Sequence, residues 1–193
     1  PSWIELRKHD LAGRLAAIRN PESRAKLIEE VRAQGEEGIA GVARWFWMGD
    51  SERPCYTQEM QQSLVQMASE AGEHPVETWL RITDESDGKA LFHMRGFNVD
   101  LSELERLITT DWAMPGLGDA GAHVSQMIDS GWSTFILSHW HRDSGVYSLA
   151  EAVRRISQVP AGVLGLADRG TLAVGKRADV NVFDVSRLEE KMP

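Results

Sequence analysis

The chain has 193 residues, 42% hydrophobic and 26% charged, with a formal net charge of −8. That length can bury one good core with a smaller appendage, and the composition is that of a globular chain, not a disordered one. The acidic balance excludes a phosphate-backbone partner, so no nucleic acid is expected, and no apolar run reaches the ~20 residues of a membrane span, so no membrane contact is expected.

Residues 20–34 predict a helix: Asn20 can cap it, Pro21 suits the first helical position, and Leu27, Ile28 and Val31 make an apolar stripe ended by Gly35. Val42 to Met48 is short, aromatic and β-branched, which predicts a strand. Thr57 is read as the cap of a helix carrying Met60, Leu64, Met67 and Ala71, stopped by Gly72. His74-Pro75 opens another, with Val76, Trp79, Leu80 and Ile82 on one side. Ala90 to Met94 predicts a buried strand, and Asp100 with Glu103 makes a capping-box pattern before Leu101, Leu104, Leu107 and Ile108.

Trp112 to Leu117 is apolar and extended in character, although Pro115 limits regular pairing to one side of it. Gly131 to Trp140 fits helix and strand equally. Ser148 with Glu151 predicts a capped helix carrying Ala152, Val153 and Ile156, ended by Pro160. From Gly170 the character changes: Ala178, Val180 and Val182 alternate with Asp179, Asn181 and Phe183 after a turn at Gly175-Lys176, which is strand periodicity. The chain thus divides into a helix-rich part to about residue 165 and a β tail.

The single cysteine, Cys55, permits no intrachain disulfide, reads as a loop residue, and suits a reducing compartment; a cytoplasmic location is expected. The chain opens Pro1-Ser-Trp without methionine, which fits a processed product or an excised piece of something longer.

Few residues are placed to do chemistry. Asp119 follows the short apolar stretch and lies between Gly118 and Gly121, glycines that let a backbone turn sharply and approach a ligand. Two readings fit it: a carboxylate that binds a divalent ion and accepts a proton from water, or a turn residue capping the next element. His123 fits a substrate contact, a support for Asp119, or a surface loop histidine. His93 and Arg95 end a predicted strand, and a guanidinium there suits gripping a carboxylate, as it also suits an ordinary surface. His139 and His141 could bind one ion from a strand face, but on a helix they point about 200° apart. His9 and His74 read as loop and helix-start residues.

Four stretches taken together resemble the D-aminoacylase (N-acyl-D-amino-acid deacylase) branch of the metal-dependent amidohydrolase superfamily. They are Pro1-Ser-Trp-Ile with Ile18 to Arg24; Leu91 to Met94 with Asn98-Val99; Trp112 to His123; and Ser148 through Pro160-Ala-Gly-Val-Leu-Gly-Leu166 to Asp184. The resemblance implies an α/β fold: the carboxyl-terminal part of a (β/α)8 TIM-type barrel with an α+β insertion, then strands of an accessory β-sandwich. Residues 1–90 would be the insertion and late-barrel region, 91–165 the last barrel strands and helices, and 166–193 the sandwich tail. Trp112 to Gly118 would be the eighth barrel strand.

The same resemblance implies that Asp119 binds metal and serves as general base, then general acid. His123, and more weakly Arg95, would contact the substrate. His139 and His141 match no metal motif of the family. The cofactor implied is zinc, one or two ions. Its other ligands, an early His-x-His, a bridging cysteine or modified lysine and later histidines, have no counterpart here, and one aspartate cannot hold a catalytic zinc. The expected parent hydrolyses the amide of an N-acyl-D-amino acid, a small-molecule substrate, and this piece alone is expected to be inactive and to form a homo-oligomer or swapped dimer. The alternatives are a hydantoinase- or dihydroorotase-like amidohydrolase and a non-catalytic interaction module.

Overall fold

A computed structural model describes residues 2–49, 54–116, 118, 120 and 129–190. The chain forms two compact units, Pro1–Leu101 and Ser102–Pro193.

The first unit begins with three helices, α1 (Ser2–Arg7), α2 (Leu11–Arg19) and α3 (Pro21–Arg32). Their starts are set by local chemistry. Asp10 Oδ1 accepts from the Gly13 amide at 2.8 Å, and Asn20 Oδ1 from the Ser23 amide at 3.0 Å, each satisfying a donor that no helical carbonyl can reach. Gly35, at φ 58°, turns the chain into the short α4 (Glu36–Ala40). Strand β1 (Trp45–Gly49) follows, then a 3-10 turn at Met60–Gln62, α5 (Leu64–Ala71), α6 (Pro75–Glu85) and β2 (Leu91–Met94). Leu6, Ile18, Leu27, Val76 and Leu80 form the core of the helices, with Trp3 and Trp79 packed against it. Burying a leucine of this kind contributes about 1.5–3 kcal/mol.

Three expectations shift here. The helix expected from Thr57 begins after Ser63, whose Oγ caps the Gln66 amide, while Gln62 folds back on the Glu59 amide at 2.8 Å. Its buried face is therefore Leu64 and Ala68, not Met60 and Ala71. The strand at 91–94 is half-buried, where a buried strand was expected, and it pairs antiparallel with β1, Phe46 opposite His93.

The second unit holds α7 (Leu101–Ile108), a 3-10 turn at Asp129–Gly131, α8 (Trp132–Phe135), a π-helix at Ile136–Asp143, α9 (Leu149–Ile156) and α10 (Gln158–Val163). The ambiguous segment 131–140 is thus helical throughout. Ser148 caps α9 as expected, its Oγ accepting from the Glu151 amide at 3.2 Å. Pro160 does not end a helix; it lies in the first turn of α10, where its missing N–H costs nothing. Segment 185–190 docks on the π-helix. The buried Ser138 hydroxyl donates to Glu190 Oε1 at 2.6 Å, and Arg142 donates to the Val185 and Leu188 carbonyls.

Among the described residues the β1–β2 pair is the only sheet. Residues 113–116 are irregular, and the expected tail strand at 178–184 is in no ladder, although its alternation is strand-like. An extended segment becomes a strand only when another edge satisfies its amides, and no described segment of the chain does so. The turn before it is present: Lys176 N donates to Ala173 O at 3.1 Å, with Gly175 at φ 83°.

Candidate functional site

Asp119 and His123 lie outside the described residues, as do most of their neighbours. What is described is the segment that leads to them. Ile108 ends α7, and its carbonyl would be left without a helical partner. It accepts instead from the Tyr147 hydroxyl at 2.6 Å and from Nη1 of Arg155 at 2.7 Å. The same Nη1 lies 2.9 Å from the carbonyls of Thr110 and Ala113. The Arg155 guanidinium stands 5.2 Å from the Tyr147 ring centroid, and its Nε donates to Glu151 Oε1 at 2.7 Å.

Arg155 is 4% exposed, so it is a buried cation and needs these partners to be tolerated. The Arg154 guanidinium, and then that of Arg155, hold the Glu151 carboxyl down at about 2. Burial pushes the Tyr147 phenol up, so it stays a neutral donor at neutral pH. Arg155 thus ties the end of α7 and the stretch up to Ala113 to α9, a role that the sequence pattern did not suggest. The signal for its burial was present: Arg155 is three residues after Ala152, on the face of α9 that is buried, whereas Val153, expected in the stripe, is 36% exposed.

In the first unit, Arg95 and His93 form a built cluster. The Arg95 guanidinium lies 4.1 Å from the centroid of Phe46. Its Nη1 donates to the Val99 carbonyl at 2.9 Å; its Nη2 donates to the Tyr56 carbonyl at 3.1 Å and reaches Gln58 Oε1 at 3.4 Å. These contacts commit both Nη atoms to the chain itself. The geometry makes Arg95 a strut joining two loops; the sequence suited it both to gripping a carboxylate and to an ordinary surface. His93 stands edge-on to Phe46 and Tyr56, at 5.5 and 5.9 Å, and its buried Nε2 has no hydrogen-bond partner among the described residues. Burial, reinforced by the Arg95 charge, lowers its pKa to about 4, so the ring is neutral at neutral pH.

His139 and His141 sit on the π-helix with different partners. His139 stacks on Phe135 at 4.8 Å and meets Trp140 edge-on at 4.5 Å, while His141 Nδ1 is 2.9 Å from the Tyr147 carbonyl. His74 caps α6 through Nδ1, and its own amide is held by Glu77 at 2.7 Å. Cys55 is exposed and unpaired in any disulfide. Among the described residues, no group of three or more His, Cys, Asp or Glu side chains could hold a metal ion, and no helix is long and apolar enough to cross a membrane.

Comparison with known proteins supplies what these residues cannot. The model of the family described as "Amidohydrolase family" matches residues 5–192. An N-acyl-D-glutamate deacylase of Alcaligenes xylosoxydans xylosoxydans is 37% identical over 98 residues, which is 48% of this chain and 19% of that protein. A D-aminoacylase of the same organism is 34% identical over 96 residues, 49% of this chain and 20% of that protein. The alignments thus cover about a fifth of the length of the curated relatives. No solved structure matches the chain.

Proposed function

Since the chain belongs to the amidohydrolase family, we propose that it is the carboxyl-terminal part of a hydrolase that cleaves the amide bond of N-acyl-D-amino acids. The observation that carries this is the extent of the family match, residues 5–192, which runs across the Gly118-Asp119 stretch and the tail alike. The names of the two relatives, both acting on D-amino-acid derivatives, favour this branch over a hydantoinase-like enzyme.

Asp119 is proposed as the proton carrier. Water attacks the acyl carbon, its oxygen bonding there as the C–N bond breaks. Asp119 takes the water proton and passes it to the departing amine nitrogen, releasing a carboxylic acid and a free D-amino acid. His123, a few residues on, is proposed to contact the substrate. Arg95 acts on the loops it joins.

Zinc is the cofactor proposed for the whole enzyme. The described residues do not by themselves fit it, since they gather no set of metal-binding side chains. Asp119 would give one carboxylate, and the remaining ligands, with the other barrel strands and the sandwich partner of the tail, would come from polypeptide outside these 193 residues. The isolated chain is accordingly proposed to be inactive.

The test is release of D-glutamate from N-acetyl-D-glutamate by the complete enzyme, by its Asp119→Asn variant and by the 193-residue chain. The variant is expected to lose about 10³-fold in turnover, and the short chain to release nothing. Turnover that survives Asp119→Asn overturns the assignment.

A further inference from the structure

We infer that Arg155 is a positioning residue for the stretch that precedes Asp119: from α9 it fixes residues 108–113, between the end of α7 and the glycines before that aspartate. This rests on the reading of Asp119 as the site's carboxylate.

The geometry carries it. A guanidinium that only capped α7 would need the carbonyls of Ile108 and Thr110, which end that helix and the turn after it. Tyr147 already serves the first of these. The contact to Ala113 O, at 2.9 Å, goes further. It reaches past the helix into the irregular segment whose next residues are Met114, Pro115, Gly116 and, beyond them, Gly118. Residues 113–115 are half-buried without any ladder to hold them, so their path depends on side-chain donors.

Arginine is the residue that suits the task. Its planar fork points Nε at Glu151 and Nη1 at the carbonyls at once. Glu151 is in turn held by Arg154 through 2.7 and 2.8 Å contacts, which orients the carboxylate that the Arg155 fork meets. A lysine keeps the charge but offers one nitrogen, and must give up either Glu151 or the carbonyls.

Arg155→Lys, Arg155→Gln and Tyr147→Phe separate the roles. Tyr147→Phe removes a bond to the helix end alone. Backbone amide resonances of ¹⁵N-glycine-labelled chain report the segment through Gly116 and Gly118, with Gly35, Gly72 and Gly88 of the first unit as controls for folding. Both Arg155 variants are expected to move or broaden the Gly116 and Gly118 peaks, Tyr147→Phe to leave them in place, and all three to leave the control peaks unmoved. In the complete enzyme, Arg155→Lys is expected to lower kcat about tenfold with KM within about twofold of wild type.

Gly116 and Gly118 peaks that coincide in wild type and Arg155→Lys overturn the inference, and so does Tyr147→Phe shifting them as much as Arg155→Lys. Failure of the site assignment looks different: the Arg155 variants move the peaks while Asp119→Asn keeps its turnover.

Discussion

Acid should weaken the first unit through His93. In the folded chain its imidazole is held near pKa 4 by burial and by the Arg95 charge, against about 6.5 when exposed. Above pH 6.5 the ring is neutral folded or unfolded, and it contributes nothing to the pH dependence. As pH falls below 6.5 the unfolded chain takes up a proton that the folded chain refuses, and stability drops until the folded pKa is reached near 4. A difference of 2.5 units corresponds to about 3.4 kcal/mol at most. The ring is not fully enclosed, and solvent screening reduces this to about 2 kcal/mol. The comparison is between wild type and His93→Phe, which removes the titration and keeps an aromatic ring against Phe46 and Tyr56. Urea unfolding of both, followed by tryptophan fluorescence at several pH values from 7.5 to 4, gives two stability curves. Carboxylates titrate in both and cancel in the difference. The stability gap is expected to swing toward the variant by about 2 kcal/mol between pH 6.5 and 4. A gap that stays constant over that window refutes the burial argument.

Two further outcomes follow from particular residues. Gly170 has φ +85°, and an added Cβ would lie 2.7 Å from the Ala161 Cβ and 3.1 Å from the Ser157 carbonyl, so Gly170→Ala should destabilise the second unit by about 2 kcal/mol in a thermal or urea melt; an unchanged midpoint would show that the tail does not rest on α10. Leu172, Val180 and Val182 are 75%, 57% and 95% exposed on a segment without a ladder, so the isolated chain should self-associate, and a monomeric mass in light scattering at micromolar concentration would count against that.

The features that sequence expressed well are those whose cause is local. Asn20-Pro21, His74-Pro75 and Ser148 with Glu151 each place a cap beside its helix, and all three helices start where those residues say. Ser63 was harder, because Thr57 offered a cap of the same kind upstream. The choice between them was made by Gln62 folding onto Glu59 and by Phe46 bridging to Ser63, the latter a contact from another element. The tail shows the opposite failure. Its alternation of Val180 and Val182 with polar residues is a true strand pattern, but a pattern states only which face would be buried. Pairing needs a second edge, and periodicity in one segment carries no information about where that edge is.

The same division separates the arginines. Arg95 and Arg155 are alike in one respect: the backbone carbonyls that each one meets lie outside its own strand or helix. In the fold Arg95 joins Tyr56 and Val99 across the sheet edge, and Arg155 joins Ile108, Thr110 and Ala113 to α9. The partners that decide each role lie far away in the chain, so residue type could suggest only the commonest use of a guanidinium, an anion grip. A guanidinium in contact with backbone carbonyls does a different job: it replaces hydrogen bonds that irregular backbone cannot make for itself. For Arg95 that backbone is a loop of the first unit. For Arg155 it is the irregular stretch between the end of α7 and the glycines before Asp119, so the proposed role of Arg155 stands or falls with the proposed role of that aspartate.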